Sequence, residues 1–144
     1  MEQMRKMTLP VEIRFRDIDA MGHVNNAVFF TYFEEGRKLF LKDVLGIVHH
    51  SDYPFIMAHI ECDYKAPLKL GETPALEVWI KDVGVKKFTF VYRMADPDDP
   101  SREYCRGESV MVFYDYGAAR TVPIPDDVLE RIAPYVEKSG EQPL

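Results

Sequence analysis

Apolar and polar residues alternate in five separate stretches of the chain, which is the pattern of half-buried β-strands. In the first stretch Leu9, Val11 and Ile13 lie on one side and charged residues lie on the other. Gly84 supplies a tight connection between the third and fourth stretches, which indicates a hairpin. The five predicted strands cover residues 8–16, 58–64, 76–83, 86–94 and 102–114.

A single long helix is predicted over residues 26–45. Apolar residues recur there at helical spacing, and Gly46 follows where a helix cap is expected. The first half of the helix is apolar nearly all round, so most of its circumference must be covered by other elements. Gly36, in the middle, costs about 1 kcal/mol relative to alanine, which indicates that a sheet or another backbone comes close.

The order of these elements predicts an α+β protein. One strand, one long helix and four strands without crossover helices give an antiparallel sheet of about five strands wrapped around the helix. A short helix over residues 126–138 follows the last strand. We expect one domain over residues 1–144, with flexible tails at about 1–7 and 139–144. Such a sheet leaves an edge strand and a helix face uncovered, which pairing into a homodimer or homotetramer would hide.

Composition narrows the classes of function. A net charge of −6 leaves no room for a generally basic face, so no nucleic-acid partner is expected. The longest apolar run is too short to span a bilayer, and the first seven residues do not form a signal peptide, so we expect a cytoplasmic protein with no membrane partner. Cys62 and Cys105 show neither a C-x-x-C pair nor metal-ligand spacing, and are interpreted as buried thiols. No metal and no cofactor are expected.

The candidate chemistry lies in residues 14–26, which are dense in polar side chains although they join a core strand to a core helix. Asn25 or Asn26 is a natural helix cap, and the unpaired N–H groups beside it form a site for negative charge such as an oxyanion. Asp19, on a turn that contains Gly22, is placed to approach the same point. Thioester hydrolysis needs a nucleophile or general base and donors for the oxyanion, with no metal or redox cofactor.

The same residues carry a family resemblance. The Asp-x-Asp-x-x-Gly-His-Val-Asn-Asn-Ala segment over residues 17–27 and Tyr-Phe-Glu-Glu-Gly-Arg over residues 32–37 resemble the opening of hot-dog-fold acyl-CoA thioesterases of the 4-hydroxybenzoyl-CoA thioesterase type. From residue 58 to 114 the resemblance is one of strand order and length. It implies a catalytic Asp19 and an oxyanion donor at the backbone N–H of Asn26.

The motif also resembles plant acyl-carrier-protein thioesterases, in which an aspartate and a histidine four residues later belong to the site. These positions match Asp19 and His23. Those enzymes carry an asparagine between the two, whereas this chain has Met21, so His23 is expected to be a helper rather than part of a transferred network.

The expected substrate contacts involve both ends of the acyl-CoA. An acyl tunnel between two subunits would be lined by Phe29, Phe30 and Phe33, beside Asn25 at the helix start. The resemblance implies that Lys86 and Lys87 meet the phosphates of coenzyme A, although a solvated hairpin end is the alternative. Further polar residues have plain structural interpretations: a turn residue at Asp17, helix caps at Asn25 and Asn26, a loop contact at His23, and solvent-facing or paired carboxylates at Glu34 and Glu35.

The sequence therefore predicts an acyl-CoA thioesterase that converts an acyl thioester to free acid and thiol. Asp19 either attacks the carbonyl carbon or removes a proton from the attacking water, and both routes stay open at this point. An acyl-carrier-protein thioesterase and a non-catalytic acyl-binding protein are the alternatives. A hot-dog dehydratase uses an acid–histidine pair in a sequence context that this chain does not have. The length of the acyl chain, and whether it is aromatic or aliphatic, also stay open.

Overall fold

The computed structural model describes residues 3–138. The strands are β1 Met7–Pro10, β2 Phe55–Tyr64, β3 Ala75–Lys81, β4 Lys87–Ala95, β5 Glu103–Asp115 and β6 Arg120–Thr121. The helices are α1 Val28–Leu45 and α2 Asp126–Ile132, and short 3-10 turns cover residues 15–17, 50–52 and 133–135. The sheet has the order β1-β3-β4-β5-β2 with every neighbouring pair antiparallel, and β6 pairs with β5. The predicted α+β architecture is confirmed.

The first strand is shorter than predicted. β1 ends at Pro10 instead of residue 16, and the 3-10 turn follows over residues 15–17. Val11 and Ile13 are buried as the alternation predicts, but Phe15 is 83% exposed. The chain turns here because the carboxylate of Asp17 accepts a hydrogen bond from the Arg14 N–H at 3.0 Å, a local contact that competes with strand pairing.

Other boundaries differ by a few residues. α1 begins at Val28 rather than residue 26, and β2 begins at Phe55 rather than residue 58. α2 ends at Ile132 instead of residue 138, and a 3-10 turn that contains Pro134 follows it. The short strand β6 was not predicted, because its two residues show no alternation. The predicted tail over residues 139–144 lies outside the described residues.

The core lies between the concave face of the sheet and one face of α1. Phe33 and Phe40 of the helix are fully buried, and the strands contribute residues such as Phe88 and Phe90. A Cβ on Gly36 would lie 2.8 Å from a methyl carbon of Leu76 and closer than 3 Å to Val78, both on β3. The predicted close approach of the sheet at Gly36 is therefore confirmed.

One edge of the sheet carries exposed apolar side chains. β2 pairs with β5 on one side only, as far as the described residues extend. Ile56 is 37% exposed, Met57 45% and Tyr64 43%. Cys62 on the same strand is half-buried and Cys105 on β5 is buried, both as free thiols. No helix in the described part of the chain is long and apolar enough to cross a membrane.

Gly107 on β5 is a second place where only a hydrogen fits. A Cβ there would lie 2.5 Å from a ring carbon of Phe33 and 2.7 Å from the carbonyl oxygen of Glu61. Because that oxygen belongs to the neighbouring strand, it cannot move away freely. We expect Gly107→Ala to lower the free energy of unfolding by about 1–3 kcal/mol in urea titrations. Gly117→Ala is the control, since its closest neighbour would lie at 3.4 Å; equal midpoints for the two variants would contradict the prediction.

Candidate active site

The polar segment between β1 and α1 is an ordered loop with two antiparallel arms. Ile18 and Val24 form an isolated β-bridge, and the Asp19 N–H donates to the His23 carbonyl at 2.8 Å. The Val24 N–H donates to the Leu68 carbonyl at 2.8 Å, which fixes the loop to the segment after β2. Gly22 lies at the tip with a φ of 81°. We call residues 17–25 the acidic loop.

Asp19 is half-buried on this loop, and its carboxylate is oriented by main-chain groups. Oδ1 accepts hydrogen bonds from the Met21 N–H at 2.9 Å and from the His23 N–H at 3.2 Å. Nothing among residues 3–138 donates a hydrogen bond to Oδ2. The two amide donors fix the plane of the carboxylate, and the second oxygen stays available to a substrate or water.

Asp17 has a different role, which matches the turn role expected for it. Its Oδ2 accepts hydrogen bonds from the Arg14 N–H at 3.0 Å and from the Tyr32 hydroxyl at 2.8 Å. Burial, followed by the hydrogen bond to the Asp17 carboxylate and its charge, raises the pKa of Tyr32 well above its usual range. Tyr32 is therefore a neutral donor, and Asp17 ties the acidic loop to the buried face of α1.

The turn that leads into α1 contains a main-chain donor without a partner among the described residues. The helix caps predicted at Asn25 and Asn26 are wrong, because the N-cap of α1 is Ala27, which has no side-chain cap. Asn25 instead closes the turn before the helix: its Oδ1 accepts the Ala27 N–H and its carbonyl accepts the Val28 N–H, both at 2.9 Å. Asn26 is exposed, and its own N–H has no acceptor in the described part of the chain. The donor that the family resemblance assigns to the oxyanion is thus free of internal hydrogen bonds.

Tyr64 connects the helix start to the sheet and was not predicted as a site residue. Its hydroxyl donates to the Asn26 carbonyl at 2.8 Å, and its ring meets Phe29 edge to face at 5.1 Å between centroids. Strand alternation placed Tyr64 on the apolar side of β2, but no local pattern indicates a hydrogen bond to a residue 38 positions earlier. Tyr64 therefore holds the turn between the acidic loop and α1 at the exposed edge of the sheet.

Two of the predicted tunnel residues are core residues of this chain. Phe33 is fully buried and stacks on Tyr92 at 4.3 Å, and Phe29 is only 3% exposed. Their spacing of four residues places both on the helix stripe that faces the sheet. Phe30 lies about 100° from Phe29 around the helix and is half-buried, so part of its ring is accessible to a substrate.

The structure does not bring the two lysines near Asp19 within one chain. Lys87 opens β4 opposite Val112 of β5, whereas Tyr64 at the acidic loop pairs with Cys105 of β5. Seven residues of extended strand separate these positions, about 23 Å. The Lys86 ammonium donates to the Thr121 hydroxyl at 3.3 Å. Within one chain the lysines and the acidic loop therefore lie at opposite ends of the β2–β5 pair.

His23 contributes main-chain groups to the loop and no ring contact within residues 3–138. The described residues contain no group of three or more His, Cys, Asp or Glu side chains that is arranged to hold a metal ion. A cavity of about 550 Å³ lies elsewhere, between α1 and the beginning of β2, and no residue of the acidic loop lines it. Asp17 of the loop lines a separate cavity of about 340 Å³ with Arg14 and Tyr32, whereas Asp19 lines neither of these two cavities.

The acidic loop offers a test of its own geometry. Gly22 has a φ of 81° and Gly71 a φ of 94°, and a Cβ on either would meet nothing within 4 Å. Alanine at each position therefore costs about 1–2 kcal/mol through backbone strain alone. We expect both variants to lose similar stability in thermal unfolding. Only Gly22→Ala should also lose thioester hydrolysis, because Gly22 lies in the acidic loop that orients Asp19. Equal activities in the two variants would argue against that role.

An antiparallel sheet curled around one long helix, with an acidic loop at the helix start, defines a hot-dog-fold protein of the thioesterase type. The family model described as the thioesterase-like superfamily matches residues 13–132. The chain belongs to that family. Among curated proteins it is similar to "Putative acyl-CoA thioesterase YneP" of Bacillus subtilis (strain 168), with 29% identity over 90 residues, or 60% of this chain. The match spans 65% of the length of that relative.

Solved structures agree on the fold. "A predicted thioesterase from Bacillus stearothermophilus" superposes with a TM-score of 0.85 and 23% identity, over 94% of this chain and 100% of the other. A thioesterase from Thermus thermophilus, solved in complex with coenzyme A and Zn, superposes with a TM-score of 0.77 and 29% identity, over 87% of this chain and 90% of the other.

Proposed function

We propose that this protein hydrolyses acyl-CoA thioesters to the free acid and coenzyme A, with Asp19 as nucleophile or general base. The observation that carries the proposal is a pair of unused groups on one short segment. Asp19 Oδ2 and the Asn26 N–H both lack an internal partner among the described residues. Asp19 Oδ2 would attack the carbonyl carbon or activate the attacking water, and the Asn26 N–H would donate to the resulting oxyanion.

The loop geometry supports convergence of these groups on one carbonyl. Asp19 pairs with His23 across the acidic loop, and three residues lead from His23 to Asn26. Three extended residues span about 10 Å at most, so the main chain at His23 and at Asn26 is no farther apart than this. The Asp19 carboxylate and a thioester carbonyl fit between these two points. The start of an 18-residue helix adds partial positive charge at the same point.

Two routes satisfy this arrangement. In the first, Asp19 Oδ2 bonds to the carbonyl carbon, the electron pair of the C=O bond moves to the oxygen held by the Asn26 N–H, and collapse expels the thiolate. The resulting mixed anhydride is then hydrolysed. In the second, Asp19 takes a proton from water, the hydroxide attacks, and the thiolate leaves and is protonated. Single turnover in ¹⁸O water tests the first route, because attack of water on the Asp19 carbonyl of the mixed anhydride leaves label in that carboxylate, which the second route never labels.

We propose further that the working form is a dimer joined through β2. An unpaired edge with exposed Ile56 and Met57 favours pairing with a second copy. Antiparallel pairing about a two-fold axis brings the Tyr64 end of one strand beside the Phe55 end of the other. Lys87, Val112 and Ile56 lie on neighbouring strands at that second end, so the lysines of one subunit approach the acidic loop of its partner.

Self-association is tested by light scattering together with activity. We expect a dimer or tetramer in solution, and loss of both association and hydrolysis when Ile60, near the middle of β2, is replaced by proline. A monomer that hydrolyses thioesters at the full rate would contradict the shared site.

Coenzyme A is favoured as the thiol carrier by two similar proteins, the B. subtilis relative named for acyl-CoA and the T. thermophilus structure with coenzyme A bound. The test is release of free thiol from acyl-CoA esters of increasing length, one aryl-CoA, and the matching acyl-carrier-protein esters. We expect turnover of CoA esters. Binding of acyl-CoA without thiol release from any ester would instead identify a non-catalytic acyl-binding protein.

A further inference from the structure

The cavity between α1 and β2 contains a guanidinium group that forms no ion pair with a carboxylate of the described residues. Arg37 of α1 lines this space of about 550 Å³. Much of the remaining wall is apolar, and includes Leu41, Phe55, Met57 and Met111. Volumes of about 300–1,000 Å³ are typical of small-molecule sites.

A chain of hydrogen bonds fixes the orientation of Arg37. Its Nη1 donates to the Tyr92 hydroxyl at 3.2 Å, which lies 2.6 Å from the Ser109 hydroxyl, which in turn lies 3.6 Å from the sulfur of Met111. A guanidinium only donates, so the Tyr92 oxygen accepts from Arg37, while either hydroxyl can be the donor between Tyr92 and Ser109. One of five N–H groups of Arg37 is used, and the other four have no acceptor within residues 3–138.

None of the neighbouring groups supplies the missing negative charge. Burial raises the pKa of Tyr92 above its ordinary value although Arg37 acts against it, so the phenol is neutral. Glu34 lines the same cavity but does not come within 4 Å of Arg37, and no other described carboxylate does. Arg93 on β4 shows the contrast, because it is paired with both Glu77 and Glu103 at 2.9 Å.

Arg37 is half-buried, and no carboxylate among residues 3–138 replaces the water that burial removes from its guanidinium. An anion that enters the cavity recovers that loss, and a carboxylate does so best because its two oxygens match the planar fork of a guanidinium. The apolar walls suit methylene groups. Arg37, Lys38 and Glu34 together give the lining a net charge of +1, which matches a singly charged carboxylate better than a doubly charged phosphate.

We propose that Arg37 binds a carboxylate at the far end of the acyl group, so that the preferred substrates are CoA monothioesters of dicarboxylic acids. This specificity rests on the proposed hydrolysis. In the proposed dimer, the cavity of one subunit opens at the β2 edge, where the acidic loop of its partner arrives. An acyl chain attached at that loop then extends along the apolar walls to Arg37.

The experiment compares kcat/KM for dicarboxylic monothioesters of four to ten carbons with the matching unsubstituted acyl-CoA esters. We expect the wild-type protein to prefer the best diacid ester about tenfold or more. Arg37→Met should lose about 10- to 100-fold on that ester and little on its unsubstituted partner, and Arg37→Lys should lose less. Lys42→Met removes a positive charge from an exposed position of the same helix and should leave the preference unchanged.

Two results would overturn the inference. An equal loss on both substrates in Arg37→Met would show that Arg37 acts at the reacting thioester or stabilises the fold. A wild-type protein with no preference for diacid esters would show that Arg37 does not bind a substrate carboxylate. Calorimetric binding of hexanedioyl-CoA and hexanoyl-CoA to Asp19→Asn, with and without Arg37→Met, separates the two proposals. If no thioester is hydrolysed at all, the proposed function fails, while the ratio of these dissociation constants still decides the role of Arg37.

Discussion

Asp19→Asn is expected to abolish thioester hydrolysis, with a fall in kcat of about 10²- to 10⁴-fold and an unchanged fold. Asparagine keeps an amide oxygen that accepts the Met21 and His23 N–H groups, so the acidic loop retains its shape. The change removes only the negative oxygen that attacks or takes the proton. Thiol release measures activity, and circular dichroism with thermal unfolding verifies the fold.

Asp17→Asn is the matched control, two residues away on the same loop. The amide oxygen still accepts from Arg14 and Tyr32, so we expect modest changes in stability and activity. Comparable losses of activity in both variants would show that the loop depends on either carboxylate for its structure. Near-normal turnover by Asp19→Asn would end the proposed mechanism.

Patterns of apolar and polar residues predicted the long helix and four of the strands. Alternation found β2 to β5, helical spacing found α1, and Gly36 was identified as a close approach to the sheet, since each signal reports which side of an element is buried. The same reasoning extended β1 too far. Alternation continued to Phe15, but the chain turns where the Asp17 carboxylate accepts the Arg14 N–H. Periodicity does not show whether a main-chain N–H bonds to a neighbouring strand or to a nearby side chain.

The missed parts of the site are contacts between residues that lie far apart in the chain. Tyr64 reaches Asn26 across 38 residues, and Arg37 reaches Tyr92 across 55. Such pairs depend on the register of strands against the helix, which spacing in a single sequence does not encode. Phe33 is a further case: its position on the helix and its burial were predicted, but its stacking on Tyr92 depends on the sheet register.

Asn26→Pro is expected to lower kcat by about 10²- to 10³-fold, because it removes the main-chain donor proposed for the oxyanion. Proline suits this position sterically, since Asn26 is the second residue of a turn that the Val28 N–H closes onto the Asn25 carbonyl at 2.9 Å. The N–H that is lost has no acceptor among the described residues, so its removal breaks no internal hydrogen bond and thermal stability should stay close to that of the wild type. Thiol release and thermal unfolding measure the two effects.

Asn26→Ala keeps the N–H and removes only the side chain, so it should retain nearly full activity and serves as the control. Equal losses in Asn26→Pro and Asn26→Ala would assign the effect to the side chain instead. An oxyanion donor still acts on the residual reaction when the nucleophile or base is removed. The double variant Asp19→Asn with Asn26→Pro should therefore be slower than Asp19→Asn alone, whereas equal rates of the two would argue against the Asn26 N–H as an oxyanion donor.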